Sequence, residues 1–275
     1  MNDALRGWLE LQRDLGGDHV VFDQPLRMAP TANGDKLPVK GRSAPATGGE
    51  PPKVPVRATP GDGSASAWRK NAPPVPEPGM IVMPPVSDAP AWATLDEVAT
   101  TVASCIRCPL CRSRTKTVPG EGNSAAGLMC VGEGPGESED LSGRPFVGRA
   151  GELLDKILEN IETPRSTVFI ANIVKCRPPK NRTPLPDEQD ACLPYLHRQI
   201  GLIRPRVLLA LGTTAATALL GVKKPLGELR NRVHRYDGIP LIVTYHPAAL
   251  LRNPNWKRPA WDDVRIARQL LDLDV

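Results

Sequence analysis

The sequence predicts an α/β protein: a parallel sheet covered by helices on both faces, with a long extension of no regular structure ahead of it. Three observations predict this. Four short β-type runs, "GLMCVGE" (127–133), "TVFIANIVK" (167–175), "RVLLALG" (206–212) and "PLIVTYH" (240–246), are separated by stretches of helical periodicity. The runs are nearly continuously apolar, as strands buried on both faces are. Proline is concentrated ahead of them, with 15 of 31 prolines in residues 1–90.

Taken in order, "NDALRGWLELQRDLG" (2–16) has a cap at Asn2 or Asp3, apolar Leu5, Trp8, Leu9 and Leu11, and a stop at Gly16-Gly17. It predicts a short amphipathic helix within 1–23, able to dock on its own domain or on a partner. Residues 24–90, typified by "APATGGEPPKVPVRATPGDGSASAW" (44–68), have no apolar periodicity. Such a segment buries too little apolar surface to offset roughly 1–2 kcal/mol of backbone entropy per residue, and reads as a disordered linker. The domain is expected over 91–275. Helical patterns lie at 94–105, 150–161, 186–203, 213–221 and 262–274. In open parallel sheets ligands bind beyond the carboxyl ends of the strands. The residues arriving there are "GEGPG", "NIVKC", "LGTTA" and "YHPAALLRNP".

The net charge of +5 falls entirely in 91–275, since residues 1–90 hold ten basic and ten acidic residues. A modestly basic domain suits a polyanion. No run approaches the ~20 apolar residues of a membrane span and no signal peptide opens the chain, so a soluble, cytoplasmic protein without a membrane partner is expected.

Six cysteines in such a protein argue for a metal or for catalysis rather than for disulfides. Cys105 and Cys108 form a C-x2-C, and Cys176 and Cys192 follow as a distant pair. Four thiolates suit zinc or an iron–sulfur cluster, and spacing does not choose between them. Cys111 is a further local ligand candidate, and Cys130, inside a strand, reads as a buried small apolar residue.

The turn "VGEGPGESED" (131–140) has the glycines of a phosphate cradle but also Glu133, Glu137, Glu139 and Asp140, which would repel phosphate. Its spacing, G-x-G-x-G, is not that of a dinucleotide-binding turn.

The stretches "GEGPGESEDLSGRPFVGRAGELL" (132–154), "VFIANIVKCRPPKNRTPLPDE" (168–188) and "TYHPAALLRNP" (244–254), with the cysteine order, closely resemble the family 4, iron–sulfur, uracil-DNA glycosylases. The resemblance covers roughly 92–275. It implies a three-layer α/β/α sandwich around a four-stranded parallel sheet and a 4Fe–4S cluster on Cys105, Cys108, Cys176 and Cys192. It also implies a monofunctional hydrolase that removes uracil from DNA and leaves an abasic site. Carried over to this chain, Phe146 would stack on the flipped uracil, and Asn172 would read its O4/N3 edge. His246 would stabilise the departing base at O2. Leu250, Leu251 and Arg252, in the loop after His246, would fill the vacated space. Glu133 would position water or face the sugar cation, which explains carboxylates in a glycine turn. The usual water-activating position is Gly134, so leaving-group stabilisation ranks above base-activated attack. Glu139 would line the pocket where a thymine methyl would fall, and Asp140 would brace the loop. Lys175 and Arg182, with Arg177 and Lys180, read as phosphate contacts. His234 reads as a DNA contact or a solvated loop residue.

Two rivals stand beside this reading. One is a non-catalytic iron–sulfur nucleic-acid-binding protein on the same fold. The other is a branch that stays covalently attached to DNA through a histidine near 178–184, where this chain has none. A monomer acting on uracil-containing DNA is expected.

Overall fold

A computed structural model describes residues 67–69, 72–84 and 92–273. The expected helix at 2–16 and most of the expected linker lie outside the described residues. Four strands form the centre of the sheet: β3 (Leu128–Gly132), β4 (Phe169–Asn172), β5 (Val207–Leu211) and β7 (Ile239–Thr244). They run parallel, and every residue in them is buried. β1 (Pro78–Val82) and β6 (Val233–Tyr236) extend one edge, and β2 (Glu121–Gly122) the other. The sheet order is β1-β6-β7-β5-β3-β4-β2.

The sheet is therefore seven-stranded and mixed, not four-stranded and parallel. β6 returns antiparallel beside β7 through Asp237-Gly238, both at positive φ, and β2 is antiparallel to β4. The additional strands flank the central four and are not buried throughout, so none carries the continuous apolar run that marks a strand buried on both faces. The linker reading also fails at 67–69 and 72–84. β1 pairs with β6, and Trp68 is only 2% exposed, between the guanidinium groups of Arg69 and Arg268. One tryptophan and five strand residues do not alter a composition average, but they suffice to anchor a sheet edge.

Helices cover both faces. Along β3, Met129 and Val131 enter one core with Val98 and Val102 of α1 (Leu95–Ala103), Leu196 and Ile200 of α4 (Pro186–Ile203), and Ala216 and Leu219 of α5 (Thr213–Leu220). Leu128 and Cys130 enter the other, with Leu154 and Leu158 of α3 (Arg149–Asn160) and Val264, Ala267 and Leu270 of α8 (Lys257–Asp272). This is the period of two of a strand against the three-to-four spacing of helices. The sandwich is three-layered, as expected. α2 (Glu137–Ser142), α6 (Leu226–Leu229) and α7 (Pro247–Arg252) are short helices in the connections. α4 begins at Pro186, with Glu188 reaching back to accept from the Leu185 amide at 2.8 Å.

Candidate active site and cysteine cluster

β3 and β4 deliver two of the expected residues side by side. Gly132 is the register partner of Asn172 at the strand ends. A Cβ at Gly132 would collide with Asn172 Oδ1 and stand 2.6 Å from Phe146 Cζ, so the three meet at one point and only glycine fits. Asn172 is buried and its Oδ1 has no hydrogen-bond partner. An orphaned buried acceptor costs about 1–3 kcal/mol, and sites that bind a donor are where such a cost recurs.

His246 closes the group from the end of β7. Its ring lies 5.4 Å from that of Phe146, tilted by 29°. The two rings are too close for another ring to lie between them. His246 Nδ1 accepts from the Ala248 amide at 3.2 Å, capping α7. That bond leaves the proton of the neutral ring on Nε2. Burial, reinforced by the Arg252 charge, pulls the imidazole down to about 4, so it is neutral at physiological pH. The ring is a neutral donor.

The acidic turn divides its work. Glu133, half-buried, is held by the Thr214 hydroxyl, which donates to Oε2 from the first turn of α5. Gly134 crosses Val174 so closely that a Cβ would lie 2.7 Å from Val174 Cγ2. Glu139 is committed to backbone: Oε2 accepts from Gly136 N at 3.1 Å, and Oε1 from Val147 N at 2.9 Å and Gly148 N at 3.0 Å. Its carboxylate ties the glycine turn to the Phe146 turn. Asp140 accepts from the Thr115 amide at 2.9 and 3.1 Å, bracing the loop before β2.

Three expected DNA contacts are placed elsewhere by the structure. Lys175 is 1% exposed, its ammonium donating to the Asn172 carbonyl at 2.9 Å and to Gln199 Oε1 at 2.7 Å. It supports the Asn172 backbone from beneath and meets no phosphate. Arg182 is spent on a bidentate pair with buried Glu188, at 2.7 and 2.8 Å. Leu250 is 2% exposed on the inner side of α7, whereas Leu251 is 39% exposed and Arg252 is exposed. The segment after His246 is a helix rather than a loop, and its inward face falls at Pro247 and Leu250, three residues apart, leaving Leu251 and Arg252 outside. His234 is neither a DNA contact nor solvated: its Nδ1 accepts from Met80 N at 3.0 Å, and its Nε2 donates to Leu229 O at 2.7 Å. It rivets β1 to the sheet.

Sequence reasoning missed Arg165 and Thr214. Arg165 donates to the carbonyls of Phe146, at 3.1 Å, and Pro145, at 2.5 Å, while pairing with Glu121 at 2.7 Å and Asp155 at 3.0 Å. Phe146 has a φ of 50°, a strained value for a bulky residue, and this clamp holds it there. Nothing in the local sequence of "TPRST" signals this, because the partners are distant in the chain. The threonine of "LGTTA" was legible as arriving at the strand ends, but not as the partner of Glu133.

Cys105, Cys108, Cys111, Cys176 and Cys192 line one cavity, with Arg107, Arg114 and Lys175. Arg114 donates to Cys176 Sγ at 3.2 Å, and the Lys175 amide to Cys192 Sγ at 3.3 Å. Among the described residues no three His, Cys, Asp or Glu side chains are grouped around a point that would hold a single ion. Burial pushes the Cys192 thiol up to about 12, so thiolate there calls for a bound cation. Sulfur is the shared donor type of this cavity, a set that fits a thiolate-ligated metal group. Cys130 is buried in β3, its thiol also pushed up to about 12, and is a core residue as expected.

At the carboxyl ends of the parallel strands an amide, an aromatic ring and a neutral histidine converge, a set of groups suited to a flat polar heterocycle. The chain belongs to the uracil DNA glycosylase superfamily, whose family model matches residues 119–265. It is 48% identical over 161 residues to the Type-4 uracil-DNA glycosylase of Pyrobaculum aerophilum, covering 56% of this chain and 82% of that one. Identity to the Type-4 enzyme of Thermotoga maritima is 44% over 181 residues, covering 64% and 94%. Similarity to the Type-5 uracil-DNA glycosylase of Thermus thermophilus is lower, 33% over 151 residues, covering 48% and 68%.

Proposed function

We propose that the protein is a DNA-repair uracil-DNA glycosylase, hydrolysing the N-glycosidic bond of a flipped deoxyuridine and leaving an abasic site. The observation that carries this reading is the orphaned Oδ1 of buried Asn172 beside the neutral His246–Phe146 pair. Oδ1 accepts from uracil N3–H, and the amide nitrogen donates to O4. Cytosine offers the reverse pattern, an acceptor at N3 and a donor at N4. His246 Nε2–H donates to O2 as negative charge gathers on the departing base, and a donor already in place needs no reorganisation. The sugar gains oxocarbenium character, which the Glu133 carboxylate, fixed by Thr214, offsets while it orders the attacking water. Phe146 supplies the apolar wall against which the base stacks. Leu251 and Arg252 fill the vacated stack and grip the strand.

Cys105, Cys108, Cys176 and Cys192 would hold a 4Fe–4S cluster, which would supply a structural cross-link between the 105–111 turn, the segment after β4 and helix α4. Cys111 lines the same cavity and is the alternative fourth ligand. In this reading the protein works as a cytoplasmic monomer, and residues 1–23 contact a repair or replication partner. Among the described residues no helix is long and apolar enough to cross a membrane.

Incubation with an oligonucleotide bearing one uracil, followed by alkali, should break the strand at that position and release free uracil. Thymine and cytosine controls should stay whole. Intact uracil DNA, with binding retained, would support the non-catalytic iron–sulfur protein instead.

A further inference from the structure

We propose that Trp256 is a rigid stacking platform for a nucleobase that flanks the flipped nucleotide in the same DNA strand. The inference rests on the reading of the site as one that acts on DNA. Trp256 ends the short turn Pro254–Trp256 after α7 and is 39% exposed, unusual for so large an apolar side chain. Its ring stacks on Tyr245 with centroids 4.9 Å apart and planes 11° from parallel. Tyr245 directly precedes His246 and rests on the Arg230 guanidinium, 4.4 Å from the ring centroid. Arg230 is anchored by Asp263 at 2.7 Å, the Pro259 carbonyl at 2.9 Å and the Tyr245 hydroxyl at 3.3 Å. Tyr245 is thus in contact with an anchored cation and with an indole that stays 39% exposed.

The surroundings select the occupant. From Pro247 to Trp261 the chain has Arg252, Lys257 and Arg258 and no acidic residue; Arg258 faces Asp262 at a loose 3.6 Å. Arg252 ends the short helix that His246 caps, so the strip begins at the residue that the candidate site contributes. An exposed aromatic face bordered by cations beside a base-binding pocket is the chemistry that holds single-stranded nucleic acid, one base per ring. Because the indole is already immobilised, little side-chain freedom is lost when a base settles on it.

The test uses the full-length protein with its cluster and labelled single strands in which a tetrahydrofuran abasic analogue replaces deoxyuridine. In one set a neighbouring base, 5′ or 3′, is also removed. Trp256→Ala should bind the fully based strand roughly 10-fold more weakly, and Trp256→Phe should restore most of the loss. Removing the base on the stacking side should cost wild type a similar factor and cost Trp256→Ala nothing more. Equal affinity of wild type and Trp256→Ala, or an equal loss whether or not the flanking base is present, would overturn the proposal. Should Trp256→Ala not fold, Trp256→Phe and Trp256→Met are read in the same series: Phe should keep the flank dependence and Met lose it. Wild type that shows the flank dependence but releases no uracil would refute the excision reading and leave the platform standing. Uracil release with no effect at Trp256 would refute the platform alone.

Discussion

A histidine offers a ligand one fixed N–H, at Nε2, when its Nδ1 accepts a backbone N–H and its ring is neutral, because protonation turns Nδ1 into a donor and breaks that backbone bond. His246 meets both conditions, with its value held at about 4 by burial and by Arg252. Excision should therefore be flat from about pH 8 to 5 and should fall only as pH approaches about 4, measured as single-turnover rate with enzyme in excess. A decline centred near the ordinary imidazole value of 6.5 would contradict a depressed His246. The same shift has a stability consequence. The folded value lies below the unfolded one, so the fold favours the neutral ring. His246 costs nothing above about 6.5, and stability is lost as pH falls from there toward about 4. At the neighbouring position, Asn172→Asp should slow uracil release and move preference toward cytosine, because a carboxylate accepts from N4 where uracil O4 needs a donor. Assays on paired uracil and cytosine strands would show it. The placement of these two residues was legible because each follows or ends a central strand. Lys175, Arg182 and Leu250 were not, since whether a basic or apolar side chain faces inward depends on a helix or a turn whose packing no short motif reveals.

At the scale of elements, the pocket wall depends on how the turn 145–148 is held. Glu139 gathers the amides of Gly136, Val147 and Gly148, and Arg165 gathers the carbonyls of Pro145 and Phe146. Glu139→Ala leaves three amides without their acceptor, each worth about 1–3 kcal/mol where water cannot replace it. It should lower kcat more than DNA affinity while the brown colour of the cluster persists. Unchanged kcat in Glu139→Ala would show that the Phe146 turn holds itself. The central strands could be read from sequence, because burial on both faces writes a continuous apolar run. The edge strands could not, because β6 alternates with polar residues and β1 lies in a proline-rich stretch. The Asp237-Gly238 pair was a readable hairpin signal, and it marks the one antiparallel return beside the catalytic strand. Since β1 and Trp68 belong to the folded unit, deleting residues 1–65 should preserve excision on short oligonucleotides. Deleting 1–90 should lower the melting temperature by stripping an edge strand and uncovering His234.

Across the whole molecule, two distant features border the candidate site. The cysteine cavity lies against the segment that follows Asn172, and the acidic turn with its clamps holds the Phe146 turn. Cys176→Ala should lose both colour and solubility, whereas Cys130→Ser, altering a core residue of β3, should keep colour and activity. Colourless, active protein with stoichiometric zinc would contradict the cluster. The spacing of the cysteines left zinc and iron–sulfur both open, and only the resemblance chose between them. That five sulfurs share one cavity is a property of the folded chain. The central claim is that a neutral histidine stabilises the departing uracil, and single-turnover excision by His246→Ala tests it most directly. Loss of that donor should slow release by roughly 10²–10³-fold, about 3–4 kcal/mol, with affinity for the same DNA nearly unchanged. Undiminished release by His246→Ala would contradict the account.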